Sequence, residues 1–486
     1  MKKQFLKFEK GVKVLSALLL SVALAFTGPA FAKIVIGEDQ EVADSHPFSS
    51  FAVVSEYEKE IFKDTVVWAG MERESPYVVH VRSKTFVNGA PDKEVIIVDG
   101  SDPKTLPEVH YLKACQSAGI SSAPIHVVYR QINRRGELVN IEEIYHVKFV
   151  DGIWSAPQLL MSTDYQRPIR LIPNNISCKG ENVGLALQHG PSLFFTGSRN
   201  NGETWSEPVR VGNPEARLAS RNPLVRFVLG EGANVFMAWT ESSENPTSFN
   251  VYFQRSTDGG ISWKEPNVPI DVDWTYAARL RLVAQQENVY IAWNFLPYMT
   301  GVEPIFGRLS TNSGASFLPT EIIASPGDAD LFNLRGLHMD NSGRLYVVWD
   351  GYLQSPINET RITFRSNIGG KWQEPKVIFT SRGAADTIYH VETSANENGA
   401  IGISFTFPGW KMVFATTSKD EGQTWECPPD QPCRLDRIPP GNYGMQAVSA
   451  SMANEVPHMA VIWAEQRTTG TGERTTLHYN TADLTE

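Results

Sequence analysis

The stretch "RSTDGGISW", residues 255–263, puts a serine, an aspartate, two glycines, a second serine and a tryptophan within nine positions. Gly259 and Gly260 supply the positive φ that a tight turn needs. Ser256 and Asp258 are short side chains that bond the backbone N–H groups of such a turn. Trp263 offers a ring to fold back under the hairpin and bury against the sheet. Every feature serves to reverse the chain, and none requires a ligand. The stretch reads as scaffold.

It recurs. "GSRNNGETWSEP" (197–208), "RSTDGGISWKEP" (255–266), "RLSTNSGASFLP" (308–319), "FRSNIGGKWQEP" (364–375) and "TTSKDEGQTWECP" (416–428) share the layout, and "VKFVDGIWSAP" (147–157) is a shorter version. Their aromatics, Trp154, Trp205, Trp263, Phe317, Trp372 and Trp425, are spaced by 51, 58, 54, 55 and 53 residues. Self-similarity at such a period marks a stacked or circular array. Between the turns lie "NVFMAWTE", "NVYIAWN", "RLYVVWD" and "HMAVIWAE", runs of strand composition. No convincing amphipathic helix intervenes. Each repeat is therefore predicted to be four short antiparallel strands, with the repeated turn between the third and fourth: one blade of an all-β propeller. A further unit, 446–482, lacks its final strand and is expected to borrow the N-terminal "KIVIG", while 51–100 reads as another blade. The expectation is a single domain over 33–486 with seven or eight blades.

The first 32 residues stand apart. A basic leader, a run of 13 apolar residues and Ala30-Phe31-Ala32 follow in the order of a signal peptide, predicting cleavage before Lys33 and an exported, periplasmic or secreted protein. Thirteen residues are too few to span a bilayer core of roughly 30 Å, so no membrane insertion is expected after cleavage. The leader carries five of the 44 basic and one of the 54 acidic side chains, which leaves the remainder at −14. That balance opposes a nucleic-acid partner, which needs a basic face. Cys115, Cys178, Cys427 and Cys433 are an even set in an exported chain. "CPPDQPC" closes a short loop, so Cys427–Cys433 and Cys115–Cys178 are the expected disulfides. No CxxC, H-E-x-x-H or phosphate-binding glycine loop occurs, and neither metal nor cofactor is expected.

The repeated turn resembles the Asp box, or bacterial neuraminidase repeat, S-x-D-x-G-x-[TS]-W, and over residues 120–430 the chain resembles sialidase-like propellers. In a four-stranded meander the box turns crowd one end, so a ligand site is expected on the opposite face, at residues before first strands and after second strands. The first group holds Arg221, Arg226, Tyr276, Arg279, Arg281, Arg335, Tyr389 and Tyr443; the second holds Glu241, Asn294, Asp350 and Glu465. Converging arginines suit a carboxylate ligand. The resemblance implies a tyrosine nucleophile beside an acid. "GNYGMQAV…MAVIWAE" puts Tyr443 and Glu465 at those places, with Asp350 as a further carboxylate and Lys411 near the family's last arginine. The family's N-terminal aromatic-Arg-Ile-Pro has no counterpart, and the one Arg-Ile-Pro, Arg437–Pro439, follows the last box. Two functions stay open: a binding propeller for a glycan or protein, and a sialidase-type glycoside hydrolase with a rearranged arginine pocket.

Overall fold

A computed structural model describes residues 34–36, 40–45, 50–58, 61–71, 79–99, 108–117, 123–135, 139–164, 169–190, 192–212, 224–242, 249–263, 268–274, 277–295, 304–325, 331–353, 359–382, 388–407, 412–426, 433–435, 443–453, 458–469 and 472–484. The leader and its cleavage site, Arg221, Tyr276, Lys411 and Cys427 lie outside the described residues.

Among the described residues the strands form eight antiparallel sheets, seven of them meanders in chain order and the eighth closed by strands from the start of the chain. We number these blades 1 to 8 from the one built on Ser50–Val98. Their innermost strands are Ser50–Glu58, Glu108–Gln116, Ile169–Lys179, Val225–Leu229, Ala277–Gln285, Leu331–Met339, Tyr389–Ala395 and Tyr443–Met452. Each packs beside the next, and the last packs beside the first, so the ring closes. This is an eight-bladed β-propeller. Blade 8 is closed as expected: Ile34–Ile36 pairs antiparallel with Leu484–Ala482, and Gln40–Ser45 extends along the same strand from Tyr479 to Thr475.

The core lies between blades. Eight clusters of buried apolar side chains each join two neighbouring blades, so every seam of the ring has one. The largest fully buried side chains include Trp68, Trp239, Trp293, Trp349 and Trp463, all on second strands. The tryptophans of the repeated turns are half-buried, and they pack on the preceding blade rather than only on their own. Trp263 meets Phe195 edge-on at 5.7 Å, Trp425 meets Phe364 at 5.2 Å, and Trp205 meets His146 at 5.0 Å. They are mortar between blades.

The turn chemistry matches the reading at four sites. Ser256 Oγ accepts from Gly260 N (2.9 Å), Asp258 Oδ1 accepts from Ser262 N (2.9 Å), and Trp263 Nε1 donates to Gly260 O (3.2 Å). Ser198 with Asn200, Ser310 with Asn312 and Ser418 with Asp420 repeat the arrangement. The other two differ. In 147–157 and 364–375 the reversal is a two-residue turn, Asp151-Gly152 and Gly369-Gly370, all at positive φ between the pairs Val150–Ile153 and Ile368–Lys371. That is the tight hairpin whose twist suits its flanking strands. These turns share an end with the first hairpin of each blade: Asn201 N donates to Glu181 O, Gly259 N to Ala233 O and Ser313 N to Glu287 O, at 2.7–2.8 Å.

Cys115 and Cys178 are disulfide-bonded across the inner strands of blades 2 and 3, Cα to Cα 5.8 Å. Cys433 is disulfide-bonded as well.

Candidate functional site

With the repeated turns at one end, the inner strands begin at the other, around the mouth of the central channel. At the turn end, polar side chains link blades around the axis. Lys179 Nζ of blade 3 donates to Gln285 Oε1 of blade 5 (3.2 Å) and pairs with Glu231 of blade 4 (2.8 Å). Gln285 continues to Asn341, and Asn341 Nδ2 donates to Glu397 Oε2 (3.2 Å). These contacts tie blades 3 to 7 together at the turn end.

At that mouth the inner strands are irregular. Register shifts fall near the start of the first strand in blades 2, 3, 5, 6, 7 and 8, between His110 and Lys113, Leu171 and Ile176, Ala277 and Arg279, Leu334 and Gly336, Tyr389 and Glu392, and Met445 and Ala447. Tyr111 and His390 sit within them at positive φ, 54° and 47°. Bulges re-aim side chains and gather beside functional sites. Here one exposes Tyr111, 47 % accessible, with the Arg130 guanidinium stacked 4.7 Å from its ring centre.

Arg335 occupies the blade 6 bulge. Its guanidinium forks onto the Asp350 carboxylate, which also accepts from Asn333 Nδ2 at 3.1 Å. Arg279, on the neighbouring strand, feels Arg335 and Asp350; burial first, then repulsion from Arg335, lowers its pKa. Arg279, Arg335 and Asp350 thus lie near one another at the starts of two neighbouring inner strands and on the strand beside them. Glu465 is buried with its carboxylate 3.1 Å from His478 Nε2, inside blade 8. Glu241 accepts from Trp239 Nε1 at 2.6 Å, and burial raises its pKa. Tyr389 and Tyr443 open the inner strands of blades 7 and 8, paired with Thr406 and Arg467, while their side chains lie outside the described part.

One tier deeper lies a group the sequence only half disclosed. Lys113, Arg226, Arg281 and Glu392 pair with Val128, Ala238, Ala292 and Ser404, in each case the residue just before the second strand's Tyr129, Trp239, Trp293 or Phe405. They occupy one level of four blades. Glu392 is exposed to the lumen although protein surrounds it; this enclosure raises its pKa, and attraction to Arg281, Lys113, Arg335 and Arg226 opposes the rise. Enclosure lowers the Lys113 pKa, opposed by Glu392, and lowers Arg281 to about 10. Arg226 and Arg281 stand out in the sequence as charges between apolar neighbours; Lys113 in "LKA" and Glu392 in "VET" carry the same signal more faintly.

No family profile matches the chain, and no curated protein does. Among solved structures, the NanB sialidase of Streptococcus pneumoniae aligns at TM-score 0.35 and 9% identity over 96% of this chain and 73% of that one. The polysaccharide lyase Uly1 aligns at 0.43 and 10% over 92% and 99%, and the phage phi92 endosialidase at 0.34 and 11% over 93% and 69%. Likeness at this level assigns neither family nor reaction. The propeller rests on the strand pairing itself.

Proposed function

We propose that this chain is an exported, Asp-box propeller of sialidase type that binds an acidic glycan at the box-free mouth without cleaving it. The observation that carries the reading is the gathering of Arg279 and Arg335 at bulged inner strands above a cationic channel, in a chain whose overall charge is negative. Guanidinium groups suit carboxylate recognition. The exposed Tyr111 ring adds a flat apolar surface of the kind that meets a sugar's C–H face. Asp350 holds Arg335 in place from behind.

The test sets carboxylated against neutral oligosaccharides, with a fluorogenic sialoside assayed beside them. Carboxylated ligands should bind, more weakly as salt rises, and Arg279→Ala or Tyr111→Ala should weaken them about tenfold, near 1.4 kcal/mol. No sialoside turnover above buffer is expected, and Tyr443→Phe should change affinity little. The hydrolase reading needs Tyr443 as the attacking group. Wild-type turnover lost in Tyr443→Phe would make the chain a glycosidase and overturn the binding reading.

A further inference from the structure

The deep tier is more than a lining. Three cations, Lys113, Arg226 and Arg281, share a level with one carboxylate, Glu392, each from a different inner strand. The level sets three basic side chains against one carboxyl, enclosed by protein, where electrostatic interactions are stronger than in bulk water. Arg281 is fixed for the purpose. Its Nε and Nη2 donate to Arg335 O at 3.0 and 2.8 Å, and Nη1 donates to Leu280 O at 3.0 Å. These bonds use three of the five N–H groups, leaving one on each terminal nitrogen for a ligand. Blade 6 contributes no side chain at this level. Its residue there is Gly336, because a Cβ would lie 2.2 Å from Thr393 Oγ1, and Thr393 in turn is bonded to His338 Nε2 at 2.9 Å. Gly336 thereby makes room for Thr393 at the seam between blades 6 and 7.

We propose that Lys113, Arg226 and Arg281 form a site for a small divalent oxyanion of the sulfate type inside the channel, and that Glu392 is its built-in competitor. With the site empty, Glu392 neutralises part of the cationic wall; an arriving dianion shares or takes over those contacts. The site lies below the mouth assigned to the glycan and does not depend on that assignment. Its ligand is either a free anion or the sulfate ester of a larger molecule, and the two are separated by comparing inorganic sulfate with a sulfated disaccharide.

Calorimetric titration of the purified protein with sodium sulfate, at constant ionic strength against chloride, should give saturable binding; a sulfated disaccharide that binds as tightly or tighter identifies the ester as the ligand, and one that binds more weakly identifies the free anion. Arg281→Gln and Lys113→Met should each weaken sulfate at least tenfold. Glu392→Gln should tighten it at least tenfold, because the internal rival is gone. Unchanged or weaker binding in Glu392→Gln overturns the competitor role, and no saturable binding of either probe overturns the site. Should the variants not fold, anomalous scattering from wild-type crystals soaked in selenate gives an independent reading. A peak between Lys113, Arg226 and Arg281 supports the site; occupied selenate elsewhere with none there overturns it. Glycan binding that persists without any sulfate site would leave the mouth assignment standing and remove this one.

Discussion

Gly260 shows how little freedom the repeated turn allows. Its φ is +85°, and a Cβ added to it would lie 2.1 Å from the Phe195 ring of the preceding blade. Gly260→Ala combines a left-handed penalty with overpacking and should cost about 2–4 kcal/mol, read as a fall in the denaturant midpoint. Ser256 acts on the same turn by accepting from the buried Gly260 N–H, so Ser256→Ala should cost about 1–3 kcal/mol. At the mouth, Asp350→Asn would leave Arg335 without its counter-charge. The expected result is a modest stability loss together with weaker binding of a carboxylated glycan, because the guanidinium loses its brace. Unaltered affinity in Asp350→Asn would show that Arg335 does not need that brace to meet a ligand.

At the level of strands and hairpins, two kinds of tryptophan do different work. Trp239 is fully buried on a second strand, whereas Trp263 is a half-buried plug between blades. Trp239→Ala should cost about 3–5 kcal/mol and Trp263→Ala about 2. The sequence showed both kinds, since hairpin glycines and strand-forming runs are local signals, and from them the meander, the repeat and the borrowed N-terminal strand were all legible. Which surface each turn tryptophan would cover was not, because that depends on the neighbouring blade. The deep tier was hidden for a related reason: Lys113 and Glu392 are brought level by register across blades, and bulges at His110–Lys113 and Tyr389–Glu392 break the alternation that would have exposed them. The seam between blades 2 and 3 carries a further device. His126 Nδ1 and His146 Nε2 lie 3.0 Å apart, fully buried beside Trp205. Burial, with repulsion from its partner and from Lys148, lowers His126 to about 3, and burial lowers His146 to about 4. Both folded-state values lie below the ordinary 6.5, so the unfolded chain takes up protons first as pH falls. The stability they provide is complete above about pH 6.5 and is lost progressively on acidification toward pH 4. Urea unfolding at pH 7.5 and 5.0 should show this drop, and a His126→Phe, His146→Leu variant should show less of it; equal slopes would rule the pair out.

For the molecule as a ring, the decisive join is between blades 8 and 1. There Asp64 Oδ2 accepts from His458 Nε2 at 2.8 Å and from the Tyr479 hydroxyl at 2.5 Å, all three buried. Removing residues 33–45 should leave the last strand, Gly472–Leu484, with an unpaired edge, lowering the melting temperature and promoting association through that edge. A monomeric truncation that melts like the parent would show that the ring needs no such closure. The same join has a consequence in time. Ile34 must find Leu484 across nearly the whole chain, and a contact so distant in sequence forms late because the loop it closes is long. The first strand to be synthesised therefore waits for the last one, and until then the protein is an open arc with two raw ends. Those ends fit each other, but they fit equally well the ends of a second arc, so crowded nascent chains would yield interlocked pairs in which each molecule closes the other.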